Sequence, residues 1–457
     1  MAEVTETIVD IEVFGYKQEL KRSLGLFDLL VYGLVFIVPI APFAVFGIVF
    51  NASKGMVPLV YLVGLVAMLF TALSYRAMSR AFPVAGSVYT YAARSIGPEA
   101  GFIAGWAILL DYLLIPALTY VACAIALSTV APGVPKFVWV VALVGFSTII
   151  NYFGIEATAR LNVIMLVLQL VILGVLMVVG LIALSHGVNG AHLSIKPFYN
   201  PAVISSSIVF GALSLAVLSF LGFDAISTLS EEAKGGALAV GRATILSLVL
   251  SAVLFIAQSY LFSLFVLDRT SFPPGDATNA ALYNIALMIG GHWIELMVTV
   301  PGILFSGIAG ALTAQAATAR LLFSMARDGK LPKFLSHVNP VRKVPEYAIF
   351  LVAAVTLVLG IAMVDEFELL ASMVSFGALI GFFLLHLSVM AHFLWRQKSR
   401  DWFRHLVVPL IGLSIVGYVL INAQANAIKY GLAWMAIGIV VLLWFHFTGK
   451  SATLPVE

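Results

Sequence analysis

LSFLGFDAISTLSEE, residues 218–232, sets an aspartate, Asp224, in the middle of an apolar run and follows it with Ser227, Thr228, Ser230, Glu231 and Glu232. A charge at the centre of a membrane span costs roughly 2.5–3.5 kcal/mol on insertion scales, so such a residue marks a functional site by default. Gly222, two residues earlier, loosens the backbone at the same place. A break there is tolerable only where the freed backbone lines a cavity and not lipid. The fold therefore turns on whether the flanking chain crosses a membrane.

Composition decides that. The chain has 457 residues, 62% of them hydrophobic and 10% charged, against about 45–50% and 25% in a soluble domain. Apolar stretches of about 20 residues, long enough to cross a bilayer, recur along nearly the whole length. Twelve are expected, at about 25–50, 57–81, 99–130, 137–153, 162–185, 203–230, 243–267, 289–326, 346–364, 367–395, 405–423 and 428–448. The first reads as a span and not a cleavable signal, being too long and followed by no small-residue cleavage site. Of the 25 lysines and arginines, only Lys54, Lys136, Lys196, Arg269 and Lys429 fall in connections that an inside N-terminus would place outside. The positive-inside bias thus predicts that both termini are cytoplasmic, in a multi-pass protein of the cell (inner) membrane. The net charge of +3 is a topology signal, and no nucleic-acid partner is expected. Cys123 is the single cysteine, so no disulfide framework and no cysteine metal site are expected.

Enzyme chemistry has no foothold. The eight histidines form no H-E-x-x-H, and there is no G-x-x-x-x-G-K-[ST] phosphate loop. No cofactor, metal site or catalytic residue is expected. His386, within a span, reads as a packing residue before a proton carrier.

Two further irregularities match Asp224. Asp111 lies in GWAILLDYLLIPALTY (105–120), with Tyr112 beside it and Pro116 a turn on. Either aspartate could pair with a cation elsewhere in the bundle, but every lysine and arginine falls at or near an expected span end, which favours a ligand role for both. Glu231 and Glu232, at the end of the sixth span, read as solvated or gate-forming. In the first span, GLVFIVPIAPFAVFG (33–47) holds Pro39 and Pro42; each removes a backbone donor and clashes with the preceding turn, so the helix should kink or unwind. Broken spans in first and sixth place are what an inverted five-helix repeat predicts.

With FPVAGSVYTYAARSIGPEAGFIAGW (82–106), LGFDAISTLSEEAK (221–234) and ARLLFSMARDGKLPKFLSHVNP (319–340), the chain resembles the amino acid–polyamine–organocation (APC) transporter superfamily over essentially its whole length. GWAILLDYLLIPAL and FLGFDAISTLSEE are most similar to bacterial putrescine importers. The resemblance implies an all-α membrane protein of the LeuT fold: a cytoplasmic tail at 1–24, a first inverted repeat at 25–185 (helices 1–5), a second at 203–395 (helices 6–10), helices 11–12 at 404–448 and a C-terminal tail at 449–457. It implies a central substrate site between broken helices 1 and 6, with Val38, Ile40, Ala41, Phe43, Phe220, Leu221, Gly222 and Asp224 from the breaks and Asp111 and Tyr112 from helix 3.

Amino-acid carriers of the superfamily usually open the helix 1 break with a glycine-rich stretch whose N–H groups cradle the substrate carboxylate, as helix N-termini bind anions generally. Here the stretch is VPIAPF (38–43), with no glycine and two prolines. Two buried carboxylates suit instead a dication: putrescine or a related polyamine, imported by alternating access. An ammonium ion would stabilise Asp224 where either partner alone is costly, and a proton takes the cation's place when the site is empty. Leu218 and Phe43 are the expected gate. A related cationic branch carries a coupling lysine in helix 5 where this chain has Gln169, so Asp224 and Gln169 are the coupling candidates. A proton is the expected co-substrate, with potential-driven uptake and exchange left open. The alternative is an amino-acid permease for cationic or neutral substrates. The sequence carries no signal for an oligomeric state.

Overall fold

The computed structural model describes residues 11–131, 133–423 and 425–447. The first ten residues of the expected N-terminal tail, and the whole expected C-terminal tail with Lys450, lie outside them.

Two prolines interrupt the first span as expected. α1 (Leu26–Ile37) ends where Val38 takes a left-handed φ of 64°, and α2 (Pro42–Ser53) begins on a proline, which is preorganised for a first helical turn. The two meet at 53°. α3 (Val57–Ala81), α4 (Val88–Ser95), α5 (Pro98–Val130), α6 (Lys136–Phe153) and α7 (Ile155–Ser185) follow. The sixth span is interrupted too: α8 (Ser206–Ala216) tightens into a 3-10 turn at Val217–Phe220, Gly222 sits at φ 121°, and a second 3-10 segment runs over Phe223–Glu232. α9 (Gly236–Ser263), the short α10 (Asp276–Asn279) and α11 (Ala281–Gly290), then α12 (His292–Arg327), α13 (Glu346–Ala362), α14 (Phe367–Met390), α15 (Val408–Ile421) and α16 (Ala425–Phe447) complete the chain.

Among the described residues nine helices are long and apolar enough to cross a bilayer, ten with the bent pair α1–α2 as one span, and there is no strand. α5 is the central column, packed by α12, α14, α4 and α6. In its most apolar stretch 78% is buried, against 17% for α16, which puts α16 at the periphery. α1 packs on α9, α7 and α12 and on the 3-10 half of the sixth span, so the two interrupted spans lie side by side.

Two boundaries differ from expectation. α7 starts at Ile155 instead of about 162, and α9 at Gly236 instead of about 243. Their first two turns carry Glu156 and Arg160, or Arg242, and a hydropathy reading starts a span only where the polar residues end.

Candidate functional site

The two breaks touch. A side chain at Gly222 would collide with the ring and backbone carbon of Phe36, so the helix 6 break is seated directly on the end of α1. Both the left-handed φ and this contact demand glycine. Gly222→Ala is therefore expected to cost about 1–3 kcal/mol and to lower the melting midpoint of the purified protein; an unchanged midpoint would show that the backbone there relaxes freely.

Asp224 is completely buried. Its carboxylate accepts from the Tyr112 hydroxyl at 2.6 Å and the Gly222 N–H at 3.2 Å. Tyr112 is held by its own backbone: Pro116, four residues on, lacks the N–H that would bond the Tyr112 carbonyl, and the Thr318 hydroxyl of α12 donates to that carbonyl at 2.7 Å. α5 thus stays continuous through its proline. Asp111, one residue before Tyr112, is also buried, and neither carboxylate oxygen has a hydrogen-bond partner among the described residues. The Asp224 carboxylate lies within electrostatic reach of it. Gly377 of α14 closes on the α5 backbone at Ala107 and Asp111. No ion pair reaches either aspartate among the described residues.

Aromatic rings flank the pair. Phe220 packs with Tyr61 and Phe255 at centroid distances of 5.9 and 5.4 Å, and Phe223 with Tyr75 and Phe382 at 6.1 and 5.7 Å. Phe36 stands 6.3 Å from Tyr112. At the helix 1 break, the N–H groups of Val38, Ala41, Phe43 and Ala44 bond back to Leu34, Val38, Ile40 and Ala41. The Pro39 carbonyl accepts from Gln258 at 3.0 Å. Ile40, Phe43 and Leu221 are buried, while Val38, Ala41 and Leu218 are half-buried. Gln169 is buried too, but it donates to the Phe305 carbonyl of α12 at 3.4 Å, and no hydrogen bond joins it to Asp224. His386 is cradled by the Thr71 and Ser74 hydroxyls at 3.3 and 3.0 Å, a satisfied packing position.

Beyond Asp224 the second half of the interrupted span is closed off. Its hydroxyls turn back on their own backbone: Ser227 on Asp224, Thr228 on Ala225 and Ser230 on Ser227. Such i to i−3 bonds suit the tight 3-10 winding. A solvated role for Glu231 and Glu232 does not hold, since both are fully buried. Glu232 takes a bidentate pair from Arg320 and Glu231 one from Arg327, each with Nη2 at 2.8 Å. Arg320 corrects the expectation that cations stay at span ends: it lies about two turns inside α12, yet it is committed to Glu232 and not to the aspartates. The N-terminal segment lies across this end. The N–H groups of Ser23 and Leu24 donate to the Glu232 carbonyl, and the Tyr16 hydroxyl to Asp328 at 2.9 Å. Burial, with the charge of Asp328, pushes the Tyr16 phenol up to about 12, so at neutral pH it keeps the proton it donates. The Arg320, Arg327 and Tyr16 contacts were not read from the sequence; their one signal was an arginine two turns before a span end.

Interrupted helices meeting at buried carboxylates, in a bundle of helices long and apolar enough to cross a bilayer, have the layout of a multi-pass membrane transporter. The sequence model of the amino acid permease family matches residues 27–444, and the chain belongs to that family, within the APC superfamily. It is 35% identical over 433 residues to the low-affinity putrescine importer PlaP of Escherichia coli K12, covering 93% of each chain. It is 29% identical to the branched-chain amino acid permease BcaP of Bacillus subtilis 168, covering 96% of this chain and 95% of that one. To the methylthioribose transporter of the same organism it is 26% identical, over 96% and 95%.

Proposed function

We propose that the protein imports a small organic dication, putrescine or a related polyamine, by alternating access. The observation that carries this reading is the pair of buried carboxylates, Asp224 and Asp111, neither of which is ion-paired among the described residues. A buried charge without a partner is costly, and a ligand with two ammonium groups would relieve both sites at once. The helix 1 break supports the same reading, because Pro39 and Pro42 have no N–H and the Val38, Ala41, Phe43 and Ala44 donors are used internally. Little is left there to hold a substrate carboxylate. The similarity to a putrescine importer agrees with it. Transport of an amino acid is the second reading, favoured by the similarity to BcaP.

The remaining assignments belong to this proposal. Counting α1–α2 and α8 with its 3-10 continuation as one span each, and adding α12 and α13, makes twelve spans arranged as a LeuT-type 5+5 inverted repeat. Both termini are assigned to the cytoplasm, a side that the positive-inside bias of the lysines and arginines supports. Val38, Ile40, Ala41, Phe43, Phe220, Leu221 and Gly222 line the substrate with Tyr112, and Leu218 and Phe43 gate it. Import is coupled to a proton carried at Asp224, with Gln169 filling the place of a coupling cation.

Competition against labelled putrescine uptake in proteoliposomes tests the substrate class. Other diamines should compete well, whereas ornithine and lysine, which add a carboxylate, should compete weakly. Ornithine competing as well as putrescine would overturn the argument from the two prolines. A smaller effect is expected at the gate: Leu218→Ala and Phe43→Ala should slow uptake without lowering the yield of folded protein, and full activity in both removes them from the pathway.

A further inference from the structure

A second group of charges lies away from the transport path, where three outward helix faces end. On α3 a strip of exposed Leu62 and Val66 and half-buried Leu69 and Leu73 ends in Arg76 and Arg80, a spacing of three and four that keeps all six on one face. On α9 the exposed Val253, Leu250 and Leu246 lead to Arg242, and from Ile411 on α15 an exposed face leads back through Val407 to Arg404, both just before the helix. α3 packs against both α9 and α15, and the Arg76 stem lies on Gly241, next to Arg242. Arg80, Arg242 and Arg404 are all within electrostatic reach of Arg76. Among the described residues the only acid paired with any of the four is Asp401, 3.6 Å from Arg404.

Four guanidinium groups gathered with one carboxylate repel one another unless an anion joins them. The positive-inside rule asks only that such residues lie on one side of the bilayer, not that they converge. Their surroundings say what the anion is attached to. Apolar lanes, exposed or half-buried, lead from the arginines along the outer surface of the bundle. In the connection after α14, Trp395, Trp402 and Phe403 are 75%, 61% and 66% exposed, as aromatic side chains are at headgroup level.

We infer that Arg76, Arg80, Arg242 and Arg404 form a binding site for the phosphate headgroup of an anionic phospholipid, whose acyl chains lie along the exposed faces of α3, α9 and α15. In the orientation proposed above this lipid belongs to the cytoplasmic leaflet, but the site does not depend on which substrate is carried. It is the kind of basic pocket between membrane helices that recognises anionic headgroups.

The full-length protein purified in neutral detergent is titrated with phosphatidylglycerol, phosphatidylcholine or inorganic phosphate, and both retained lipid (by native mass spectrometry) and melting midpoint are read. Phosphatidylglycerol should be retained and should raise the midpoint, less so at high salt; phosphatidylcholine and phosphate should do neither. Arg76→Gln and Arg242→Gln should each lower phosphatidylglycerol retention about fivefold, and the corresponding lysine variants should recover most of it. Arg80→Gln alters an exposed side chain and should show the same loss where the other two fail to fold. Unchanged retention in folded variants, equal retention of phosphatidylcholine, or an equal midpoint shift with inorganic phosphate would each overturn the lipid site, the last by showing a free-anion site instead.

Discussion

Asp224→Asn is expected to weaken putrescine binding by about thirtyfold or more, and Asp111→Asn to weaken it selectively for diamines. Asparagine preserves the shape at Asp224 and can still accept from Tyr112, which donates at 2.6 Å, but the charge at the junction of the two breaks is gone. Truncating one partner of a buried, hydrogen-bonded charge pair costs about 2–5 kcal/mol, and the lower value corresponds to about thirtyfold. Asp111 comes from the continuous helix α5 and has no hydrogen-bond partner among the described residues, so its proposed partner is the second ammonium. Butylamine lacks that group and should bind the Asp111→Asn protein nearly as well as the unaltered one. Calorimetric titration of both purified variants with putrescine and butylamine separates the cases. Large and equal losses for the two amines in Asp111→Asn would leave Asp224 as the only charged contact and end the two-anchor account.

Glu232→Gln should be the most damaging change to stability. Arg320 is buried with Glu232 and shares two hydrogen bonds with it, keeping one other to the Ala316 carbonyl at 2.9 Å. Removing one partner of a buried ion pair costs about 3–5 kcal/mol, whereas replacing both with well-packed apolar groups is often neutral. The melting midpoint in detergent should fall sharply for Glu232→Gln and recover in the double variant with Glu232→Leu and Arg320→Met. A single variant as stable as the unaltered protein would mean that water reaches the pair. Glu231→Gln should be milder, since Arg327 is partly exposed at 13% and also stacks on Tyr16 at 3.9 Å.

Much of the fold was legible because its signals are local. A proline removes a donor wherever it stands, so VPIAPF announced a break at 38–41, and a glycine before a polar run announced the one at Gly222. Length and apolarity named ten spans, the bent first one included, apart from the polar first turns of α7 and α9. Asp224 and Asp111 stood out because a charge in an apolar run is costly whatever surrounds it.

What the sequence by itself determined was therefore the membrane bundle, its two interruptions and the rare acids within it. Only the tertiary structure decided the partners. Tyr112 and Asp224 are 112 residues apart, and Arg320 and Glu232 88. Nothing in either neighbourhood distinguishes an arginine that faces solvent from one that reaches inward. That Glu232 is neutralised by Arg320 while Asp111 finds no partner among the described residues follows from how α5, α12 and the sixth span pack. The physical reason is that burial and pairing are properties of the space between helices, and a single helix's sequence sets its residues' faces and spacing without saying which neighbour fills that space.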